Sequence, residues 1–290
     1  MNLTSPQTIQ YIKKKYNFNM SKGLGQNFLL DQRVLDKIVD AAELCAESGA
    51  LEIGPGIGVL TAELSKASKK TVAIEIDTRL LPVLDETLGE YDNIEIINDD
   101  VLKTNLATLI NDKFSNCSDV SIAANLPYYI TTPILTHLLE NNDLCVKNIV
   151  VMVQKEVAQR LCATPKSKNY SSLSVLVAYH CTAEIVTTVP ASSFMPPPKV
   201  DSAVVKLAMR KEPPISPKSE KIFFKTVRAA FCQRRKTLVN ALCGSGIFTI
   251  SKDEIKRIVL ALGFGENARG EELSLEQFCA LSDALYEAVR

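Results

Sequence analysis

The feature that most narrows the fold of this chain is an alternation running from residue 50 to about residue 209, in which short β-branched runs are separated by segments with helical apolar spacing. Consecutive strands stay parallel in one sheet only if the connecting segment crosses back over a face, so the pattern predicts a parallel sheet covered on both sides by helices. Seven strands are read, at 50–53, 71–76, 94–97, 120–124, 149–153, 184–189 and 202–208. Between them, 61–67, 78–88, 132–140, 155–162 and 173–179 read as helices, some preceded by Ser or Thr able to cap them. The last two strands are joined only by the proline-rich loop 190–199, which is too short for a crossover helix, so they are expected to pair as an antiparallel hairpin at one end of the sheet. The stretch 210–217 holds three prolines and reads as a linker. Four amphipathic segments follow, at 221–232, 236–242, 253–262 and 275–288. The expected architecture is α/β: a seven-stranded, mostly parallel sheet in a domain over 1–212, then a small all-helical C-terminal domain over 213–290.

Composition excludes several classes. Apolar residues make up 46% and charged residues 23%, which fits neither a disordered nor a fibrous chain. No apolar run approaches the roughly 18 residues that cross a bilayer, and Met1-Asn2-Leu3-Thr4 opens no signal core. A cytoplasmic protein without membrane contact is expected, with monomer as the default state. Eight cysteines are scattered with no Cys-x-x-Cys pair and no His nearby to complete a metal site. They are expected to be reduced, to bind no metal, and mostly to pack as small hydrophobes.

Net charge is zero but unevenly distributed. Residues 1–30 carry Lys13, Lys14, Lys15 and Lys22 with no acid, and residues 199–236 carry a net +8, leaving −12 on the remainder. Such segregation gives an acidic body with a basic footprint for nucleic acid, although a solvated face gives the same pattern.

The first strand runs into Glu52-Ile53-Gly54-Pro55-Gly56-Ile57-Gly58-Val59, a glycine-rich turn opening a helix. Glycine suits a turn that needs positive φ and close backbone approach by a ligand. A dinucleotide fingerprint would be G-x-G-x-x-G, whereas here the glycines stand at 54, 56 and 58 behind an acid. A pyrophosphate wants positive surroundings, while the sulfonium and ammonium of S-adenosylmethionine want carboxylate and carbonyl oxygens. Glu75 ends the second strand 21 residues after Gly54, where an acid grips a ribose diol. The third strand ends in Asn98-Asp99-Asp100, and either aspartate is placed to accept from an adenine amino group.

The fourth strand ends in Asn125-Leu126-Pro127-Tyr128-Tyr129. The lone pair of adenine N6 is delocalised into the ring, so methylation there requires acceptors that favour a pyramidal nitrogen. The Asn125 amide oxygen and the Leu126 carbonyl are candidates, with Pro127 fixing φ so that this carbonyl stays aimed. Tyr128 is a candidate stacking face for an extruded base. Phe194, in the 190–199 loop, is a candidate second face or a core anchor. Positioning and electrostatics, not a general base, are expected to carry the rate.

These residues resemble the ribosomal RNA adenine dimethyltransferase family over nearly the full length. The resemblance rests on Gly25-Gln26-Asn27-Phe28-Leu29, on 52–61, on Glu75-Ile76-Asp77, on Asp100-Val101-Leu102 and on 125–129. It continues through Val153-Gln154-Lys155-Glu156-Val157-Ala158, 194–202, Phe231 and Arg234-Arg235-Lys236-Thr237-Leu238. It implies a Rossmann-like class I methyltransferase using S-adenosylmethionine, with S-adenosylhomocysteine as product. By the same resemblance Asn27, Leu29, Gly54, Glu75, Asp100 and Asn125 contact the cofactor, which selects Asp100 over Asp99; Asn27 has no role readable from the residues alone. It further implies N6-dimethylation of two adjacent adenosines near the 3′ end of small-subunit (16S) rRNA in a partly assembled 30S particle. Arg228, Arg234, Arg235 and Lys236 are then candidate phosphate contacts. Ser171 departs from the family, which usually has glycine there. A related enzyme acting on large-subunit RNA is the nearest alternative, and 196–202 together with the C-terminal segment favours the small-subunit branch. A binding protein that kept the fold but lost turnover is the other, and Gly54, Glu75 and Asn125 argue for an enzyme.

Overall fold

The computed structural model describes residues 1–18, 25–141 and 143–289. The strands are β1 (Phe28–Leu29), β2 (Gly49–Ile53), β3 (Lys70–Glu75), β4 (Ile94–Asn98), β5 (Val120–Asn125), β6 (Asn148–Gln154), β7 (Cys181–Val189), β8 (Phe194–Met195) and β9 (Ser202–Met209). The helices are α1 (Pro6–Lys15), α2 (Gln32–Ala42), α3 (Val59–Ala67), α4 (Leu81–Leu88), α5 (Leu106–Lys113), α6 (Thr131–Leu139), α7 (Lys155–Leu161), α8 (Ser172–His180), α9 (Glu220–Phe231), α10 (Leu238–Gly244), α11 (Lys252–Ala261) and α12 (Leu275–Val289).

Seven strands form one sheet in the order β4-β3-β2-β5-β6-β9-β7. Every residue of β2 is buried and so are the first six of β6, the mark of strands covered on both faces. β2 pairs parallel with β3 on one side and with β5 on the other, β3 with β4, and β5 with β6. β9 runs antiparallel to β6, from Asn148 opposite Ala208 to Gln154 opposite Ser202, and lies between β6 and β7. The expected hairpin is thus at one end of the sheet, with its second strand on the inside. Strand order reverses at β2, because the chain first builds toward β4 and then returns to lay β5 on the opposite flank. The crevice at the carboxyl ends of β2 and β5 is where ligands bind in such sheets.

Several elements were not anticipated from sequence. β1 and β8 form a separate two-stranded ribbon, Phe28 opposite Met195 and Leu29 opposite Phe194, each too short to show a period. α1 and α2 lie ahead of the alternation. α5 is only eight residues long and buries only Leu106 and Ile110.

The chain divides into two units, Met1–Ala158 with Ala183–Met209, and Gln159–Thr182 with Arg210–Arg290. The division differs from the expected 1–212 and 213–290 at residues 210–212 and in the segment 159–182, which resembles a crossover helix by sequence. Its α8 instead packs on α9: the Tyr179 ring lies 5.3 Å from Phe223 and 5.2 Å from Phe224. Ser171, where glycine was expected, has φ −154°, an extended conformation open to any residue, and its N–H donates to Ser174 Oγ at the start of α8. The eight cysteines are free, but only Cys181 is buried. Their apolar neighbours in sequence misled, because Cys45, Cys145 and Cys232 fall in turns and helix ends where the side chain faces outward.

Candidate active site

β2 leaves the sheet through a turn whose three glycines all have left-handed φ: +71° at Gly54, +60° at Gly56 and +88° at Gly58. They serve different ends. A Cβ on Gly58 would lie 2.9 Å from the Leu88 side chain and one on Gly56 3.0 Å from the Phe28 ring, so these two allow close packing. A Cβ on Gly54 would meet nothing within 4 Å, because the space above it is the mouth of a cavity. α3 begins at Val59 and directs its first N–H groups toward the same turn.

Glu75 closes β3 and is almost fully buried. Its Oε1 accepts the Asp77 N–H at 2.8 Å and its Oε2 the Gly56 N–H at 3.3 Å, so the carboxylate is locked beside the glycine turn with lone pairs left over. Burial raises its pKa. Glu52, one residue before the end of β2, is more deeply buried; desolvation above all, with the nearby Glu75 charge adding to it, pushes its pKa up to about 8. At the end of β4, Asp99 lines the same cavity as Asp100 and accepts Thr104 Oγ1 at 2.9 Å. Asp100 caps the turn, accepting the Leu102 N–H at 3.1 Å.

β5 delivers Asn125 to the same rim. Its Nδ2 donates to the Asn27 carbonyl at 3.0 Å, across 98 residues of sequence. Only an amide nitrogen donates to a carbonyl, so Oδ1 is the end turned away from Asn27. Leu126 is buried and donates its N–H to Met152 O at 3.1 Å, while Thr131 Oγ1 donates to the Pro127 carbonyl at 3.0 Å. Tyr128 Oη shares a 2.6 Å hydrogen bond with Ser202 Oγ, and burial raises the phenol pKa. The phenol is therefore a neutral anchor for its ring and not a base.

One cavity is lined by Asn27, Leu29, Gly54, Glu75, Asp100 and Asn125, all six candidate cofactor residues, and by Leu126, Pro127 and Tyr128. Phe194 is not brought to it. The ring is 4% exposed and sits in the hydrophobic core, where β8 holds it against Leu29 of β1. Of the two roles read for it from sequence, this burial fits the core anchor. Sequence reasoning missed Ile76 and Tyr129, which also line the cavity and are each 54% exposed. Large apolar side chains directly after Glu75 and Tyr128 were the available signal.

Among the basic candidates, Arg228 is exposed on α9, and Arg235 and Lys236 are exposed in the turn that follows. Arg234 differs: its Nε donates to Glu271 at 2.9 Å and its guanidinium also bonds the Lys168 carbonyl. Lys13, Lys14 and Lys15 form the last turn of α1, with Lys15 paired to Glu86 at 2.6 Å; Lys22 lies outside the described residues.

The donor set fits S-adenosylmethionine. Acids stand at the ends of three adjacent strands, the glycine turn leaves open space over Gly54, and among the described residues no lysine or arginine lines the cavity to attract a pyrophosphate. A reversed-order sheet with this rim defines a Rossmann-like methyltransferase.

Residues 17–285 match the family model for ribosomal RNA adenine dimethylase, and the chain belongs to that family. It is 50% identical over 284 residues to the ribosomal RNA small subunit methyltransferase A of Bacillus cytotoxicus, covering 98% of this chain and 97% of that one. Its counterpart from a Geobacillus strain is 49% identical over the same span. Among solved structures, a dimethyladenosine transferase from Plasmodium falciparum superposes with TM-score 0.71 at 29% identity, covering 88% of this chain and 95% of that one. The 23S rRNA methyltransferase ErmE superposes with TM-score 0.65 at 27% identity, covering 90% and 100%.

Proposed function

We propose that this protein dimethylates N6 of two adjacent adenosines near the 3′ end of small-subunit (16S) rRNA, using S-adenosylmethionine, as a cytoplasmic monomer acting on a partly assembled 30S particle. The small-subunit branch is favoured over the large-subunit one by the 50% identity to enzymes named for the small subunit, against 27% to ErmE.

The observation that carries the chemistry is the fixed orientation of Asn125. With Nδ2 held on the Asn27 carbonyl, Oδ1 is the end free to accept a hydrogen from an adenine amino group. The Leu126 carbonyl is the second acceptor. Two acceptors on one amino group draw its hydrogens out of the ring plane and localise the N6 lone pair, which a delocalised amine needs before it attacks. The cofactor supplies an electrophilic methyl on a sulfonium. Asn27, Leu29, Gly54, Glu75 and Asp100 hold and orient it, with Glu75 suited to the ribose hydroxyls and Asp100 to the adenine amino group. Tyr128, anchored through Ser202, offers its ring to the unstacked base. The surplus proton leaves to water after transfer, so the site works by positioning and electrostatics. Arg228, Arg235 and Lys236 give phosphate contacts that position the RNA without reading sequence.

The test is mass spectrometry of nucleosides from small-subunit rRNA of cells lacking the protein, and of that RNA after incubation with protein and cofactor. Loss of N6,N6-dimethyladenosine in the first and its return in the second are expected. Dimethyladenosine lost from large-subunit RNA instead would overturn the assignment, as would no product in either RNA.

A further inference from the structure

The helical unit contains a second basic segment that the charge count along the chain does not bring out. From residue 157 to residue 183 there is no acid, while Arg160, Lys166 and Lys168 lie within nine positions. The last two belong to the loop between α7 and α8, and the fold places this loop beside the turn after α9.

Three contacts hold it there. The Lys166 N–H donates to the Glu271 carbonyl at 2.8 Å. The Arg234 guanidinium binds both the Glu271 carboxylate and the Lys168 carbonyl, joining segments 66 residues apart. Tyr170, buried at the end of the loop, donates its Oη to the Leu273 carbonyl at 3.1 Å and packs edge-on against Phe231 at 5.7 Å. The support beneath is tight, since a Cβ on Gly270 would come 2.8 Å from the Ala230 carbonyl. Lys166 itself has φ +70°, a conformation that a side chain other than glycine keeps only when its surroundings impose it.

This clamping presents charge. Lys166, Lys168, Arg235 and Lys236 are all exposed, and among the described residues none has an ion-pair partner. Elsewhere on the molecule Lys69, Lys147 and Lys206 are paired with glutamates. Arg234 is the exception within the cluster, and its two partners are both intramolecular.

We infer that the 164–169 loop is a second RNA-contacting element of the helical unit, and that Arg234 is the bracket holding it beside Arg235 and Lys236 and not itself a phosphate contact. The inference rests on the RNA-binding reading above and deepens it. Phosphate backbone is the fitting partner because the loop offers Thr164, Pro165, Lys166 and Lys168 to solvent without a large apolar side chain. A protein partner would need an apolar centre to the patch, whereas phosphates need cations and donors alone.

Glu271 makes the inference testable against plain electrostatics. If charge alone mattered, removing this acid would tighten RNA binding whether Ala or Gln replaced it. If the bracket matters, Glu271→Ala frees Arg234 and the loop and weakens binding, while Glu271→Gln keeps an acceptor for Arg234 and stays near or above wild type.

The probe is deproteinised small-subunit rRNA, titrated at several salt concentrations, with cofactor affinity by calorimetry as the check that each variant is folded. Lys166→Ala/Lys168→Ala is expected to lose about tenfold in affinity and to reduce the salt slope by about one to two, as for the loss of two phosphate contacts. An unchanged affinity and slope in that double variant, or a Glu271→Ala protein that binds as tightly as Glu271→Gln, overturns the inference. So does a loss seen only on protein-bearing 30S particles and not on naked RNA, which would make the loop a protein contact. A wild-type protein whose RNA binding lacks salt dependence would instead remove the RNA reading itself.

Discussion

Asn27 sets the orientation of Asn125: the 3.0 Å hydrogen bond from Asn125 Nδ2 to the Asn27 carbonyl fixes which end of the side-chain amide faces the cavity. The bond ties the segment before β1 to the carboxyl end of β5, so one contact serves both halves of the site. It places Asn27 at the cavity wall and, in the proposed mechanism, leaves Oδ1 for the amino group to be methylated.

Asn125→Ala is therefore expected to lower turnover by two to three orders of magnitude, the range for loss of one preorganised polar partner. Cofactor affinity should stay within about tenfold, because five other residues still line that part of the cavity. Steady-state kinetics with calorimetric binding separates the two effects. Unimpaired turnover in a folded Asn125→Ala protein refutes the role.

Gly54→Ala and Gly58→Ala are expected to fail differently. At Gly54 the new methyl meets no protein atom within 4 Å and points into open space, so the fold loses only the about 1–2 kcal/mol of left-handed strain while cofactor affinity falls at least tenfold. At Gly58 the methyl meets three Leu88 carbons at 2.9–3.1 Å, and overpacking adds to strain for about 2–4 kcal/mol of lost stability. Urea unfolding beside cofactor titration checks the contrast. Equal losses of stability would mean that the two glycines do the same job.

Glu52 gives a pH signature. Its in-register neighbours on β3 and β5 are Ala73 and Ala123, and Oε2 has no hydrogen-bond partner among the described residues. Burial holds its pKa at about 8, above the ordinary carboxyl value of 4.5. The unfolded chain therefore releases this proton first as pH rises, and the native state loses stability from pH 4.5 upward until pH 8, by roughly 4–5 kcal/mol in total. Glu52→Gln removes the titration, so its stability relative to wild type should climb between pH 5 and pH 8. Parallel pH profiles for the two proteins would show that Glu52 is ionised when folded.

Glu86 tethers α1. It accepts from Tyr11 Oη at 2.9 Å, from Lys15 Nζ at 2.6 Å and from Tyr16 Oη, and these bonds hold its pKa at about 2. The stabilisation is complete above the ordinary carboxylate range and disappears as pH falls through 2. Glu86→Ala should open the Lys13-Lys14-Lys15 turn to trypsin at neutral pH while the sheet stays resistant. Equal cleavage rates in the variant and the wild type would show that packing of Ile9 and Ile12, not the carboxylate, retains the helix.

The seven strands of the main sheet, the glycine turn, Glu75 and Asn125 were legible in the sequence, because alternation, φ preference and strand-end spacing are encoded within a few residues of each position. The choice of Asp100 over Asp99 was not legible from the residues themselves, and the fold brings both to the cavity, with the Asp99 carboxylate engaged by Thr104. Phe194 looked like a base-stacking candidate because its loop lies near the rim, but pairing with Leu29, 165 positions earlier, buries it. Segment 159–182 read as part of the sheet domain because a helix on α9 and a helix on a sheet share one apolar period.

By itself, the sequence determined which stretches become strands and helices and which side chains end up on the sheet's carboxyl edge. Only the tertiary structure decided partnership: that Asn27 orients Asn125, that Arg234 braces a loop, and that Glu52 Oε2 finds no hydrogen-bond partner among the described residues. Local preferences act through a residue's own backbone and nearest neighbours, whereas these partners are set by strand order and helix packing between segments far apart in the chain.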